Sequence, residues 1–240
     1  MLALRHIYLL LIYSLWILRR LHFGAVGSSV FLPLKNNRMR TSTNTFFSMH
    51  PLLPPSSNQA LATLHRGGLV LLPTANLWQV ISHPHFPETH DRLFDLCPPQ
   101  PEFLPELLFS DLAMLKRWAP NLHPKLETLL LYHKRPLTLL LPEVSRAPAA
   151  LRNADGLLAV RLIQDAFCRQ LCEDLELPLV ASLALAPGAR VLPTSFGRIR
   201  SDVLASVDFI VQRRQKEWIA SQTALTICLD ENDELVFVNE

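Results

Sequence analysis

The side chains that could do chemistry in this chain are few and scattered. His83, His85 and His90, with Asp91 next to the last, form the densest group of ligand-type side chains. A helical zinc site of the HExxH kind sets two histidines four apart with a glutamate between them. His83-Pro84-His85 instead reads as a proline-bearing loop, so these rings are taken as solvated and no metal site is assigned. Cys97, Cys168, Cys172 and Cys228 lack the CxxC spacing of a zinc knuckle or redox pair. Cys168 and Cys172, four apart, read as two buried thiols on one helix face. No GxSxG elbow, Walker loop or GxGxxG is present, which leaves hydrolase, P-loop and dinucleotide readings without support. Arg198 and Arg200 would share a face of an extended segment, and with Arg161 could line a basic concavity for nucleotide or RNA phosphate. For any one basic cluster, these and Lys116-Arg117, Lys134-Arg135 and Arg213-Arg214 with Lys216 alike, solvated surface charge is the simpler reading.

The chain that must position these groups has 240 residues, 49% of them hydrophobic, enough to bury one ordinary core. Its net charge of +2 does not by itself imply a nucleic-acid partner. With 19 prolines and only 7 glycines, there are few places for a phosphate-cradling loop. The cysteine usage fits a reducing, cytoplasmic setting. Ile7 to Leu18 is an apolar run flanked by Arg5 and Arg19-Arg20. It is short of the roughly 20 residues of a membrane span and closer to a signal-peptide core, with Ala25-Val26-Gly27 as a passable cleavage site. Residues 33 to 58 are polar, proline-bearing and aperiodic, and contain Met39 and Met49. Residues 1–51 are therefore read as a hydrophobic and disordered extension, not translated or removed, and residues 52–240 as the domain. Membrane anchoring or export is the alternative if residues 1–27 are retained, and no stable membrane partner is expected without them.

Within the domain, a helix from Asn58 to His65 stops at Gly67-Gly68, and Leu69 to Leu72 follows as a strand buried on both faces. Thr74-Ala75-Asn76 reads as an exposed polar tip before Leu77 to Ile81. Further strands are expected at Leu107 to Phe109, Pro136 to Leu141, Leu157 to Leu162, Leu179 to Leu183 and Asp208 to Val211. Ala224 to Leu229 and Leu235 to Val238 read as a hairpin. Helices are expected at Thr89 to Leu96, from an N-cap at Ser110 through Trp118, at Leu126 to Leu131, at Ile163 to Leu175 and at Ser201 to Ser206. Strands alternating with helices predict an α/β fold, a twisted open mixed sheet with flanking helices.

The order of these segments resembles the YrdC-like family, which includes YciO and the threonylcarbamoyl-adenylate synthases. LHRGGLVLLPTANLWQVISHP resembles its GG-strand-PT(D/E)T opening, and LLFSDLAMLKRWAP its next strand and helix. RPLTLLLP resembles its PGP(L/V)T strand, LLAVRLI its VR strand, and LELPLVASLALAPG its KPL(V/A)STSAN segment. The resemblance implies a twisted α/β sheet with a concave, often basic face. It further implies a site that in active members takes ATP with Mg, threonine and bicarbonate for tRNA modification, and some members are linked to double-stranded RNA.

Carried over residue by residue, the resemblance leaves Thr74, Asn76, Arg161 and Ser182 as substrate or nucleotide-binding candidates, Trp78 at the aromatic position, and Arg198 and Arg200 as phosphate or RNA candidates. The Lys-x-Arg pair of active members falls on Cys97 and Pro99, and the Ser-x-Asn pair on Leu183 and Leu185. Ala75 stands at the acidic position, and Gln79 and Ile81 replace glycines. Charge-assisted bonds contribute roughly 1.5 to 3 kcal/mol each, so losing four anchors removes on the order of 6 kcal/mol, about four decades of affinity. The expectation is a divergent member without synthase activity, with no assigned catalytic residue and at most weak nucleotide or RNA (double-stranded RNA or tRNA) binding. ATP enters as a ligand only if the family activity is retained. Two alternatives stand beside it. One is an active enzyme using Arg135 or Arg190 as substitutes. The other is a protein-interaction module built on leucine-rich surface segments at Leu126 to Leu131 and Leu183 to Leu185.

Overall fold

The structure is a computed structural model that describes residues 55–189, 191–219 and 224–239. The extension assigned to residues 1–51, and Arg190, lie outside the described residues. The first helix, α1 (Pro55–His65), ends where Gly67 adopts φ +71° and its N–H donates to the Leu64 carbonyl, while the Gly68 N–H donates to the carbonyl of Thr63. The left-handed turn favours glycine at the first position. A Cβ at the second would stand 2.5 Å from Thr63 Cγ2, so Gly68 is required by close approach rather than by φ.

Strands β1 (Val70–Pro73) and β2 (Trp78–Ser82) follow as an antiparallel pair, every residue buried. The remaining strands are β3 (Glu106–Phe109), β4 (Leu137–Leu141), β5 (Leu158–Leu162), β6 (Leu179–Leu183), β7 (Phe209–Ile210), β8 (Leu225–Leu229) and β9 (Leu235–Asn239). They form one nine-stranded sheet in the order β7-β1-β2-β6-β3-β5-β4-β8-β9, parallel at β7–β1, β3–β5 and β4–β8 and antiparallel elsewhere. The expected mixed α/β sheet is what forms. The central strands are buried on both faces, and the helices of the domain are α2 (Pro87–Leu96), α3 (Leu112–Trp118), α4 (Pro124–Tyr132), α5 (Ala166–Leu175) and α6 (Ser201–Ser206). Helix α5 packs against α1 and β3, and buries Phe167, Cys168, Leu171, Cys172 and Leu175.

Several expectations change. The cap of α3 is Asp111, whose carboxylate accepts from the Met114 N–H at 2.7 Å, and not Ser110, which donates its hydroxyl to Asp111 instead. Helix α5 starts at Ala166 rather than Ile163, because Asp165 caps it and Ile163 extends β5 by donating to the Phe109 carbonyl. The leucine-rich segments are not surface strips. Leu126 and Leu185 are buried, Leu129, Leu130 and Leu183 are half-buried, and of the leucines in the two segments Leu131 alone is exposed, beside Tyr132.

Asp111 carries its charge into an N-terminal helix turn, and the Met114 N–H holds its carboxyl below the usual carboxylate range. Asp111→Ala is expected to lower unfolding stability by about 1 kcal/mol in urea titrations, and Ser110→Ala by less than half of that.

Candidate functional site

Four strands place polar side chains on one face of the sheet, where alternation and register would otherwise bury only apolar groups. Gln79 of β2 lies two residues from Ile81, which is level with Ala181 of β6, itself level with Glu106 of β3. Arg161 of β5 is level with Leu108 on one side and with Thr138 of β4 on the other. All four polar residues are buried.

They satisfy one another. The Arg161 guanidinium donates through Nη2 to Glu106 Oε2 in a very short ion pair, and to Gln79 Oε1 at 3.4 Å. Gln79 Nε2 donates to Glu106 Oε2 at 3.3 Å, and the Thr138 hydroxyl donates to Glu106 Oε1 at 2.6 Å. The carboxylate thereby meets a guanidinium, an amide and a hydroxyl inside the network, as burial in low dielectric demands. The cation that could have met a ligand anion meets a carboxylate of its own sheet.

Above this face is a small cleft. Its walls include Thr74, Asn76, Gln79, Arg161, Asp165 and Cys168, and its volume is about 20 Å³. That is room for about one or two water molecules at its floor, and the cleft is open to solvent above it. The turn expected as an exposed tip is its buried edge: Thr74 and Asn76 are both buried, and the Thr74 hydroxyl donates to the Leu77 carbonyl at 2.7 Å. The segment after β7 reaches across. Arg214 donates to the Thr74 carbonyl at 3.0 Å, and Arg213 lies 3.6 Å from Asp165 with its guanidinium 4.6 Å over the Phe167 ring. These basic residues, read from the sequence as solvated charge, clasp both rims of the cleft.

Thr74, Asn76 and Arg161 are thus brought together, while Ser182, Arg198 and Arg200 are not. Ser182 is level with Val80, which puts it on the opposite face from Gln79, where its hydroxyl donates to the Cys97 carbonyl at 3.1 Å. Arg198 closes the short turn Phe196–Arg198, stacks 4.2 Å over the exposed Trp218 ring and donates to Thr194. Arg200 precedes α6 and pairs with Asp202 at 2.6 Å. The segment is turned rather than extended, so the two guanidiniums do not line one concavity with Arg161. Glu106 and Thr138 are the members of the network that sequence reasoning missed. A glutamate opening an otherwise apolar strand, Glu106 before Leu107-Leu108-Phe109, was the available signal.

Cys97, Cys168, Cys172 and His83 are set apart by burial. Cys168 and Cys172 are buried as expected, and desolvation pushes both thiols up, Cys172 to about 12. Cys97, at the position of the family's lysine, is also buried and pushed up to about 12, mainly by desolvation. All three stay protonated thiols at neutral pH. His83 is buried, accepts from the His85 N–H at 3.1 Å through Nδ1, and has the His65 and His85 rings within 6.2 Å and 5.4 Å. Among the described residues no group of His, Cys, Asp or Glu has the arrangement of a metal site.

With fold and site described, the chain can be set beside known proteins. The family sequence model Sua5_yciO_yrdC, described as "Telomere recombination", matches residues 62–232. This chain belongs to the Sua5/YciO/YrdC family. A threonylcarbamoyl-AMP synthase of Chromohalobacter salexigens is 32% identical over 130 residues, 54% of this chain and 70% of that protein. The YciO-like domain here also resembles E. coli YciO in structure, with a TM-score of 0.65 at 19% identity over 77% of this chain and 88% of that one. P. abyssi Sua5 complexed with L-threonine gives a TM-score of 0.64 at 21% identity, over 76% of this chain and 53% of that longer one. No helix among the described residues is long and apolar enough to cross a membrane.

Two measurements test this environment. Burial and the neighbouring rings lower the His83 pKa from 6.5 to about 4, and burial also lowers that of His90. The unfolded chain then binds more protons than the folded one between those values, so stability is complete above pH 6.5 and falls as pH drops toward 4. The melting temperature should decline between pH 7.5 and 5, and decline less in His83→Gln. Separately, Glu106→Ala leaves Arg161 buried and unpaired and should cost about 3 to 5 kcal/mol in denaturant unfolding. Glu106→Ala combined with Arg161→Met should cost clearly less than the sum of the two single changes.

Proposed function

We propose that this protein is a divergent YrdC-like member, related to threonylcarbamoyl-AMP synthase, that has no synthase activity and keeps at most weak nucleotide or RNA binding. The observation that carries this reading is the Glu106–Arg161 ion pair. Arg161 is the cation retained from the family's VR strand, and its charge is spent on a carboxylate that Thr138 and Gln79 hold in place. The cleft wall offers the phosphates of ATP with its Mg no cation besides this already paired arginine, and the residues present do not fit it.

The surrounding positions point the same way. Cys97 is buried and uncharged at neutral pH, and Leu183 and Leu185 offer only alkyl groups. What remains for phosphate is exposed cationic surface away from the cleft, chiefly Arg198 over Trp218, with Lys216 nearby in sequence. Binding through such residues is dominated by counterion release and weakens steeply with salt. Stacking of an unpaired base on an exposed indole would add sequence-tolerant affinity.

An active enzyme is the second reading. It is favoured by Arg135, which is exposed and adjoins Pro136 in the cleft wall. The two readings separate in one assay. The purified chain incubated with ATP, Mg, threonine and bicarbonate is expected to form no threonylcarbamoyl-adenylate, and detection of that product, lost in Arg135→Ala, would establish the second reading instead. In filter binding, tRNA is expected to be held weakly at low salt and released by about 200 mM salt, with Arg198→Ala and Trp218→Ala each weakening it further.

A further inference from the structure

The sheet ends in two unlike edges. Strand β7 is two residues long and is followed at once by the arginine-bearing segment that crosses the cleft. Strand β9 is five residues long, is paired with β8 on its inner side, and has no strand on its outer side among the described residues. Leu235, Val236, Phe237 and Val238 are all exposed, Phe237 by 56% and Val238 by 54%. Natural edges are blunted by lysine, proline, brevity, a covering loop or a bulge; this strand carries neither charge nor proline from Leu235 to Asn239, and its one irregularity, a register shift at Val238, leaves Leu235 to Phe237 regularly paired.

Its pattern says what kind of partner fits. Successive side chains point to opposite faces, so an unbroken apolar run is apolar on both. A helix or loop would cover one face and leave the outer backbone row unpaired, whereas an apolar strand covers both and completes the ladder.

The charges at the two ends of β9 choose the strand and its direction. Asn239 is level with Thr226 at the start of β8, and Leu225 is level with Leu137 at the start of β4. The exposed Lys134 and Arg135 lie just before β4, two strands or about 10 Å in from β9, so this end of the sheet carries two cations against the single Glu240 that follows Asn239 in sequence, and the exposed Leu131 and Tyr132 close α4 there. The opposite end is the β8–β9 turn with exposed Asp230, Glu231, Asp233 and Glu234, only partly offset by Lys125 at 3.4 Å from Glu234. We propose that this chain forms a two-fold dimer through antiparallel pairing of β9 with β9 of a second copy. That arrangement is self-complementary: apolar strand meets apolar strand, and the acidic turn of each copy comes to the basic end of the other. Parallel pairing would instead set acidic turn beside acidic turn. A pair of five-residue strands alone falls below the roughly 1,000 Å² of a stable interface, so dissociation constants on the order of micromolar are expected.

Sedimentation equilibrium of the full 240-residue chain between about 1 and 200 μM tests this. A reversible monomer–dimer equilibrium is expected, weaker at high salt. Val236→Lys and Phe237→Lys, on opposite faces of the regularly paired part of the strand and both exposed, should each raise the dissociation constant at least about tenfold while leaving the melting temperature of the monomer unchanged. Lys134→Glu with Arg135→Glu should weaken the dimer, and adding Glu231→Lys with Glu234→Lys should restore it. A chain that stays monomeric throughout, or a dimer indifferent to both lysine substitutions, overturns the proposal. Hydrogen exchange separates the remaining occupant: β9 amides protected in a monomer mean that another segment of the chain covers the strand, which also overturns it.

Discussion

Glu106 and Arg161 stand diagonally across the pairing of β3 with β5, two positions apart in register and so on the same face, at the middle of a nine-stranded sheet. Neither charge could stay there alone. Desolvating one ion in such a place costs several kcal/mol, and the mutual attraction offsets that cost only when the remaining lone pairs and N–H groups are also met. Gln79 from β2 and Thr138 from β4 meet them. Four strands are thereby tied through side chains as well as through backbone, and the register of each is tied to the polar position it supplies. A one-residue slip of β5 would carry Arg161 to the other face, into apolar packing.

The same pair decides the character of the cleft. A buried arginine whose partner is built into the chain is a structural cation. The wall residues follow suit: Thr74 bonds within its own turn, Arg214 grips that turn from outside, and Arg213 answers Asp165 at the cap of α5. The charged groups Arg161, Arg213 and Arg214 thus each face a carboxylate or a backbone carbonyl from the same chain.

The edges of the sheet extend this logic outward. Asp208, just before β7, accepts from the Leu69 N–H at 2.6 Å and pairs with Arg92 of α2 at 3.2 Å, so the β7 edge is anchored into the body of the domain. At the β9 edge Lys125 reaches the turn, to the Asp233 carbonyl and Glu234, His123 lies 4.0 Å from Asp233, and the strand's side chains face water. One side of the sheet is finished by its own chain, and the other side keeps an unpaired backbone row.

Local sequence was enough for the frame. Unbroken apolar runs such as Leu69 to Leu72 and Leu137 to Leu141 can only be strands buried on both faces, and Gly67-Gly68 dictates a turn at the one place a Cβ cannot fit. The segment order was sufficient to recognise the family, and Cys97, Pro99, Leu183 and Leu185 already marked the missing anchors. Helix starts were less legible, because Ser110 and Asp111 are both good caps and only the fixed backbone selects between them. The fate of Arg161 was not legible at all. Its partner is 55 residues away in sequence, and the two meet only because β3 and β5 are laid side by side in parallel by the intervening crossover. Likewise Ser182 looked like a site residue until the register of β6 turned it to the other face, and Arg213 and Arg214 looked like surface charge until the chain after β7 crossed the cleft. Residue type and period are local properties and were written in the sequence. Which charges neutralise which depends on strand order and register, and only the tertiary structure decides that.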